Sequence, residues 1–283
     1  MFDTFKNRLE ITGTLTTITA LRISAGRSTE PIGCDLPVIK DALGRPLIPG
    51  SSFKGALRSR LESFLRGIDP NLAEDPANYT SSTRNNQVKD LKVKYKNDDL
   101  NLTQELIDLT DDIGSLFGTP WMASKFQVRD LTVQPDAWFG QYQERDGVAI
   151  DRDTETAADG KLYDYQVVPA ATPFDFKAVV ENAHDWELGL LTIGLHQFET
   201  EQIPLGGGRS RGLGVVKLEI DKMRWFDYPE DRPDLLIEYL KKLVMGDDSA
   251  YEDARDFKDY WVEELIKHLN EKTSDKSQAT SAR

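Results

Sequence analysis

Residues 33–66 read GCDLPVIKDALGRPLIPGSSFKGALRSRLESFLR, and the way this stretch divides decides the fold. Its first half is a loop that carries one carboxylate, Asp35, beside the only cysteine, Cys34. Its second half opens through Pro49, Gly50, Ser51 and Ser52, then places Phe53, Leu57, Leu61, Phe64 and Leu65 at helical spacing. Such spacing makes one apolar stripe on an α-helix. Ser51 or Ser52 is the expected N-cap, its oxygen accepting an otherwise orphan N–H, and Gly67 is the expected stop. Lys54, Arg58, Arg60 and Arg66 lie off the stripe. A helix start flanked by cations and faced by a loop with one aspartate suits a phosphate backbone.

On the N-terminal side, residues 8–24 alternate through Leu9, Ile11, Leu15, Leu21 and Ile23, enough for one long strand or two. Between this strand and the helix, 38–40 and 46–48 form a small hairpin around the turn 41–44. Beyond the helix, 68–100 has few apolar residues and two prolines and reads as an insertion, partly disordered. Its segment 89–96 is basic with Tyr95 interleaved, and a solvated charge run explains it better than a nucleic-acid contact. Residues 125–133 alternate as a strand. The polar, turn-rich stretch 145–161 separates two strand-like segments and reads as a long protruding hairpin, whose second strand continues into 174–180. A second helix spans 184–200, with Trp186, Leu190, Leu191, Leu195 and Phe198 on its apolar side. The loop LGGGRSRGLG at 205–214 then leads into a strand at 215–226.

Without insertion and hairpin the order is β-α-β-β-α-β. That is an α+β, ferredoxin-like plan shared with RNA-recognition (RRM-like) modules. The first domain is therefore 1–226. Residues 227–283 form an acidic, helical C-terminal extension with a disordered end from 272.

Composition narrows the classes. With 35 Lys and Arg against 48 Asp and Glu the net charge is −13, unusual for a free-standing nucleic-acid binder. Distribution matters more than the sum: residues 22–66 hold eight cations and four acids. The acid excess lies elsewhere, as if one face were basic and the rest solvated. One cysteine excludes internal disulfides and any Cys-rich zinc site, so no zinc is expected. No apolar run spans a membrane and no secretory layout opens the chain, so a cytoplasmic protein without membrane contact is the expectation.

Gly206, Gly207, Gly208, Gly212 and Gly214 let backbone amides approach an anion, and Arg209 and Arg211, with Ser210 between them, add phosphate donors. The plainer alternative is a flexible turn. Asp35 by itself is more often a turn former than a catalyst, and Cys34, with no histidine nearby, reads as a small packed side chain.

Taken together, GCDLPVIKD…PLIPGSSFKGALR, LFG at 116–118, SKFQVRD, VAIDRDT…YDYQVVPAAT and GGGRSRGLG resemble the RAMP superfamily. Within it they resemble the repeated backbone subunit of type III CRISPR effector complexes, the Csm/Cmr kind, with subtype D open as the narrower assignment. The resemblance runs from about residue 9 to 218. It implies a palm that holds CRISPR guide RNA and a thumb that interrupts the duplex with complementary target RNA. It also implies neighbouring RAMP subunits and other type III subunits as partners, in antiviral defence.

Carried onto this chain, the resemblance makes Asp35 the catalytic residue of a target-cutting endoribonuclease and the ligand of Mg²⁺ or another divalent cation. It places guide contacts at Ser51, Ser52, Lys54, Arg58, Gly207, Gly208, Arg209, Ser210 and Arg211, and the thumb at Val148, Ile150 and Arg152. Rival readings are a non-catalytic backbone subunit, a guide-processing endoribonuclease of the same superfamily, and a ligand-binding or scaffolding protein on the same core. The second rival usually relies on histidine, and His184, His196 and His268 lie away from the motifs.

Overall fold

The computed structural model describes residues 4–27, 34–150, 157–229 and 231–281, and the side chains of 148–150, 157–162 and 275–281 lie outside that description. In chain order come β1 (Asn7–Thr17), β2 (Leu47–Ile48), α1 (Gly50–Ile68), α2 (Pro76–Tyr79), α3 (Ser82–Lys94), α4 (Asp99–Asp108), α5 (Asp112–Phe117), β3 (Phe126–Val128) and β4 (Leu131–Thr132). The second half adds β5 (Gln143–Ile150), β6 (Ala157–Val167), β7 (Pro173–Glu181), α6 (Asp185–Glu199), β8 (Val216–Asp227), α7 (Pro233–Met245), β9 (Glu252–Asp253) and α8 (Lys258–Ser281).

The main sheet has the order β3-β7-β1-β8-β9 and is antiparallel throughout. Taking β1, α1, β3, β7, α6 and β8 in sequence gives the expected ferredoxin-like plan, with α1 and α6 as its two crossovers. The period-two pattern of β1 turns Leu9, Ile11 and Leu15 into the core. Both crossover helices pack on that face. Phe53 of α1 stacks on Phe198 of α6 with ring centroids 4.3 Å apart and tilts against Phe176 of β7 at 5.0 Å. Gly194 keeps the helices close: a Cβ there would come within 2.6 Å of a Leu57 methyl carbon. The opposite face of the sheet is polar, with Arg8, Glu10, Glu181 and Arg224 linked in ion pairs across β1, β7 and β8.

Local departures from the sequence reading have physical causes. Neither Ser51 nor Ser52 caps α1. The helix starts at Gly50 behind Pro49, whose ring offers no hydrogen-bonding side chain, and Asp130 Oδ1 accepts the Gly50 N–H at 2.8 Å. Gly50 is there for close packing, since a Cβ would lie 2.6 Å from the Val128 carbonyl oxygen. Gly67 does not stop the helix, which ends one residue later at Ile68.

The 68–100 stretch is helical rather than partly disordered. Asp75, Ser81 and Asp98 cap α2, α3 and α4 through their side chains, although α3 buries no residue. Capping sustains helices where apolar periodicity is absent, so a search for stripes overlooks them.

The C-terminal helix α8 likewise runs to Ser281, through the end expected to be disordered. Trp261 and Leu265 are buried against α6, where Gly189 makes room: a Cβ would meet the Trp261 carbonyl oxygen at 2.1 Å. His268 stacks on Trp186 with centroids 4.2 Å apart and shares a 3.0 Å hydrogen bond with Asp112. No described helix is long and apolar enough to cross a membrane.

Candidate nucleic-acid interface

The exposed side of α1 repeats small residues every fourth position, Ser51, Gly55, Ser59 and Ser63, opposite the apolar stripe. It faces the segment that leads from α6 into the glycine loop. Between them lies a groove of about 510 Å³ whose wall includes Ser51, Ser52, Ser59, Arg60, Gly206 and Arg209 and, among the described residues, contains no Asp or Glu. A polar wall with two guanidinium groups and no carboxylate suits a phosphate backbone.

Three of the expected cations, Lys54, Arg58 and Arg211, are not in that wall. The Lys54 ammonium donates to Ser124 Oγ at 2.6 Å and to the Phe126 carbonyl at 3.1 Å, and burial holds its pKa down to about 8. Arg58 donates to Glu62, to the Gly118 carbonyl and to Tyr79. Both brace α1 against α5, β3 and the 68–100 region. The cation that sequence reading passed over is Arg60, two positions further round the helix. Its guanidinium lies 4.7 Å over the Phe64 ring and donates to Gln197 at 3.3 Å, while its buried Nε has no partner among the described residues. The signal available for it was its phase on α1, close to that of Ser52, Ala56 and Ser63.

The glycine loop works differently from an amide cradle. Gly207 N–H donates to the Arg22 carbonyl at 2.9 Å, Gly214 N–H to the Ala20 carbonyl at 2.9 Å, and the N–H groups of Arg211, Gly212 and Leu213 donate within the loop. Its glycines serve geometry. Gly206 has φ +73° and would place a Cβ 2.1 Å from the Arg22 carbonyl oxygen. What the loop presents outward is side chains: Arg209, Ser210 and Arg211 are exposed on a single turn.

A second, small core joins this loop to Asp35. Ala20, Tyr165, Val167 and Leu213 are buried together, with Leu36 and Tyr163 packed against them. Along β6, Tyr163 and Tyr165 share one side of the strand and Asp164 points to the other. Arg211 donates to the Tyr163 hydroxyl at 3.1 Å and draws that phenol below its ordinary pKa. The Arg22 guanidinium lies 4.8 Å over Tyr165, and its Nε is also buried without a partner among the described residues. Leu36 pairs with Tyr165, and the Asp35 N–H donates to Asp164 Oδ1 at 2.7 Å. Arg22, Tyr163, Asp164 and Tyr165 were not visible as site residues, because only β6 brings them to Asp35.

Cys34 is no nucleophile here. Burial pushes its thiol up, and the charges of Asp164, Glu144 and Asp35 push the same way, which disfavours the thiolate. Among the described residues no group of three or more His, Cys, Asp or Glu side chains could hold a metal. The strands β5 and β6, where the thumb is expected, pair with one another, including Val148 opposite Leu162 and Ile150 opposite Ala157, while Arg152 lies outside the described residues.

Comparison with known proteins adds an independent line. The sequence model of the RAMP superfamily matches residues 14–217. A CRISPR system Cms endoribonuclease Csm3 of Enterococcus italicus is 25% identical over 225 residues, which is 77% of this chain and 92% of that protein. Its counterpart in Methanocaldococcus jannaschii is 28% identical over 227 residues, covering 78% and 82% respectively. The Mycobacterium tuberculosis protein of the same name is 52% identical over a shorter span of 56 residues, 19% of this chain and 24% of that protein.

Proposed function

The chain belongs to the RAMP superfamily, and from that premise we propose that it is the guide-RNA-binding backbone subunit of a type III CRISPR effector complex, which cuts complementary target RNA with Asp35. The observation that carries this reading is the meeting of three parts at one edge of β6: the Asp35 loop, the arginine-bearing glycine loop and the strand that leads into the thumb. The carboxylate-free groove beside them supplies a track for the guide backbone.

The chemistry asks little of the protein. RNA carries its own nucleophile, so cleavage needs a 2′-hydroxyl held in line with the adjacent phosphorus. A nucleotide splayed out of the duplex at the thumb reaches that geometry more readily than a stacked one. Asp35 then takes the hydroxyl proton, or would hold a divalent cation that supplies positive charge at the phosphate. The 2′-oxygen bonds to phosphorus, the bond from phosphorus to the 5′-oxygen breaks, that oxygen takes a proton from solvent, and the products are a 2′,3′-cyclic phosphate and a 5′-hydroxyl.

Mg²⁺ is commonly bound through one or two carboxylates and substrate phosphate oxygens. Asp35 together with RNA fits that mode, and the ion would neutralise charge developing on the phosphate. The described residues provide no closed cage of their own.

Asp35→Asn in the assembled complex should abolish cutting of complementary RNA at this subunit's position and leave guide and target binding intact. Gel analysis of end-labelled target reads both. Persistent cutting at that position would remove Asp35 from the reaction, and a loss of binding would reassign it to structure.

A further inference from the structure

Asp35 is held by its backbone more firmly than a loop aspartate usually is. Its N–H donates to Asp164 Oδ1 at 2.7 Å, and the next carbonyl, that of Leu36, accepts the Gln166 N–H at 3.1 Å. Two further bonds zip the same segment to the extension of β1: Ala25 N–H to the Pro37 carbonyl at 3.0 Å, and Ile39 N–H to the Ile23 carbonyl at 2.9 Å. Three of these four bonds are backbone to backbone and would survive any side-chain change. The fourth rests on one carboxylate.

That carboxylate is oddly placed for a purely structural group. Asp164 is half-buried and forms no ion pair among the described residues. Its charge acts on the same thiol, Cys34, as those of Glu144 and Asp35. An apolar side chain at this position would leave the Asp35 N–H without this acceptor. What the carboxylate supplies is a charge-assisted acceptor for the Asp35 N–H, about twice as strong as a neutral one. Its own position is secured from both sides along β6. Tyr163 lies across Gly147 of β5, where a Cβ would come 2.3 Å from the ring, and Tyr165 is buried in the small core.

We propose that Asp164 is a positioning residue for Asp35: by accepting the Asp35 N–H it fixes the peptide from which the reactive carboxylate projects. Only the two side-chain torsions of Asp35 are then left to adjust when RNA arrives. The thumb strand carries Asp164, so the same element that meets the duplex also sets the aim of the carboxylate. This inference rests on the reading of Asp35 given above.

The test uses the complete effector complex assembled on its guide RNA, with single-turnover cleavage and target affinity measured side by side. Asp164→Ala should slow the cutting step by on the order of 10- to 100-fold, the scale of a small misplacement of a reacting group, with target affinity unchanged. Asp164→Asn keeps an oxygen acceptor at the same place and should cut within about threefold of the parent. The proposal is overturned if Asp164→Ala cuts at the parental rate, or if it loses assembly or target binding along with cutting. It is also overturned if Asp164→Asn is as slow as Asp164→Ala. Asp35→Asn, run on the same assembly, separates the two claims: if that variant still cuts, the proposed function fails whatever Asp164 does.

Discussion

Lys54 shows how far a single side chain can depart from what its neighbours in sequence suggest. It follows a Gly-Ser-Ser helix start and was expected to meet phosphate, yet its ammonium is folded inward onto Ser124 and the Phe126 carbonyl. Burial, with a smaller push from Arg58, depresses its pKa to about 8. The consequence for stability has a definite sign. In the unfolded chain a lysine titrates at roughly 10.4, so between pH 8 and 10 the unfolded state binds more protons and stability rises with pH. Lys54→Met lacks that increment. Urea midpoints of parent and variant, compared at pH 7.5 and pH 9.5, should diverge in favour of the parent at the higher pH. A difference that stays constant would show that the ammonium is not desolvated. Asp35, by contrast, was legible as a position from its motif, while its geometry was not, because the partner Asp164 lies 129 residues away.

At the scale of elements, the start of α1 was recognised and its cap misassigned. Proline and serine are both common near helix starts, and local sequence cannot reveal that a carboxylate 80 residues downstream takes the Gly50 N–H. Asp130→Ala should therefore cost about 1 kcal/mol, the usual worth of a cap, measured by chemical denaturation. No loss would mean that water serves the Gly50 N–H equally well. The glycine loop taught the reverse lesson. Five glycines suggested amides turned toward an anion, but most of those amides are spent on the backbone of residues 20–22 and on the loop itself. The glycines are needed where φ is positive and where another chain segment passes within reach of a Cβ, as at Gly206 and Gly214. The outward message of the loop is its arginines.

At the scale of the whole molecule, a net charge of −13 and an RNA partner under the proposed function are compatible because no carboxylate lines one groove among the described residues. Arg60 comes to it from α1 and Arg209 from the far end of the chain's core. Arg60→Ala with Arg209→Ala should weaken binding of the guide RNA and flatten its salt dependence. If each arginine neutralises one phosphate, the slope of log K against log salt becomes shallower by about 0.7 per arginine on a single strand. A slope equal to that of the parent would place the guide elsewhere. Sequence by itself determined the order of the six core elements β1, α1, β3, β7, α6 and β8, the apolar stripes of the two crossover helices, and the loop that bears Asp35, but not the helices of 68–100. Periodicity and turn chemistry act over a few residues, so they can be read along the chain. Only the tertiary structure decided which cations face the groove and what grips Asp35. Lys54 and Arg60 sit on the same helix and differ in the direction they point. Which direction meets Ser124 and which meets the glycine loop is settled when distant segments pack.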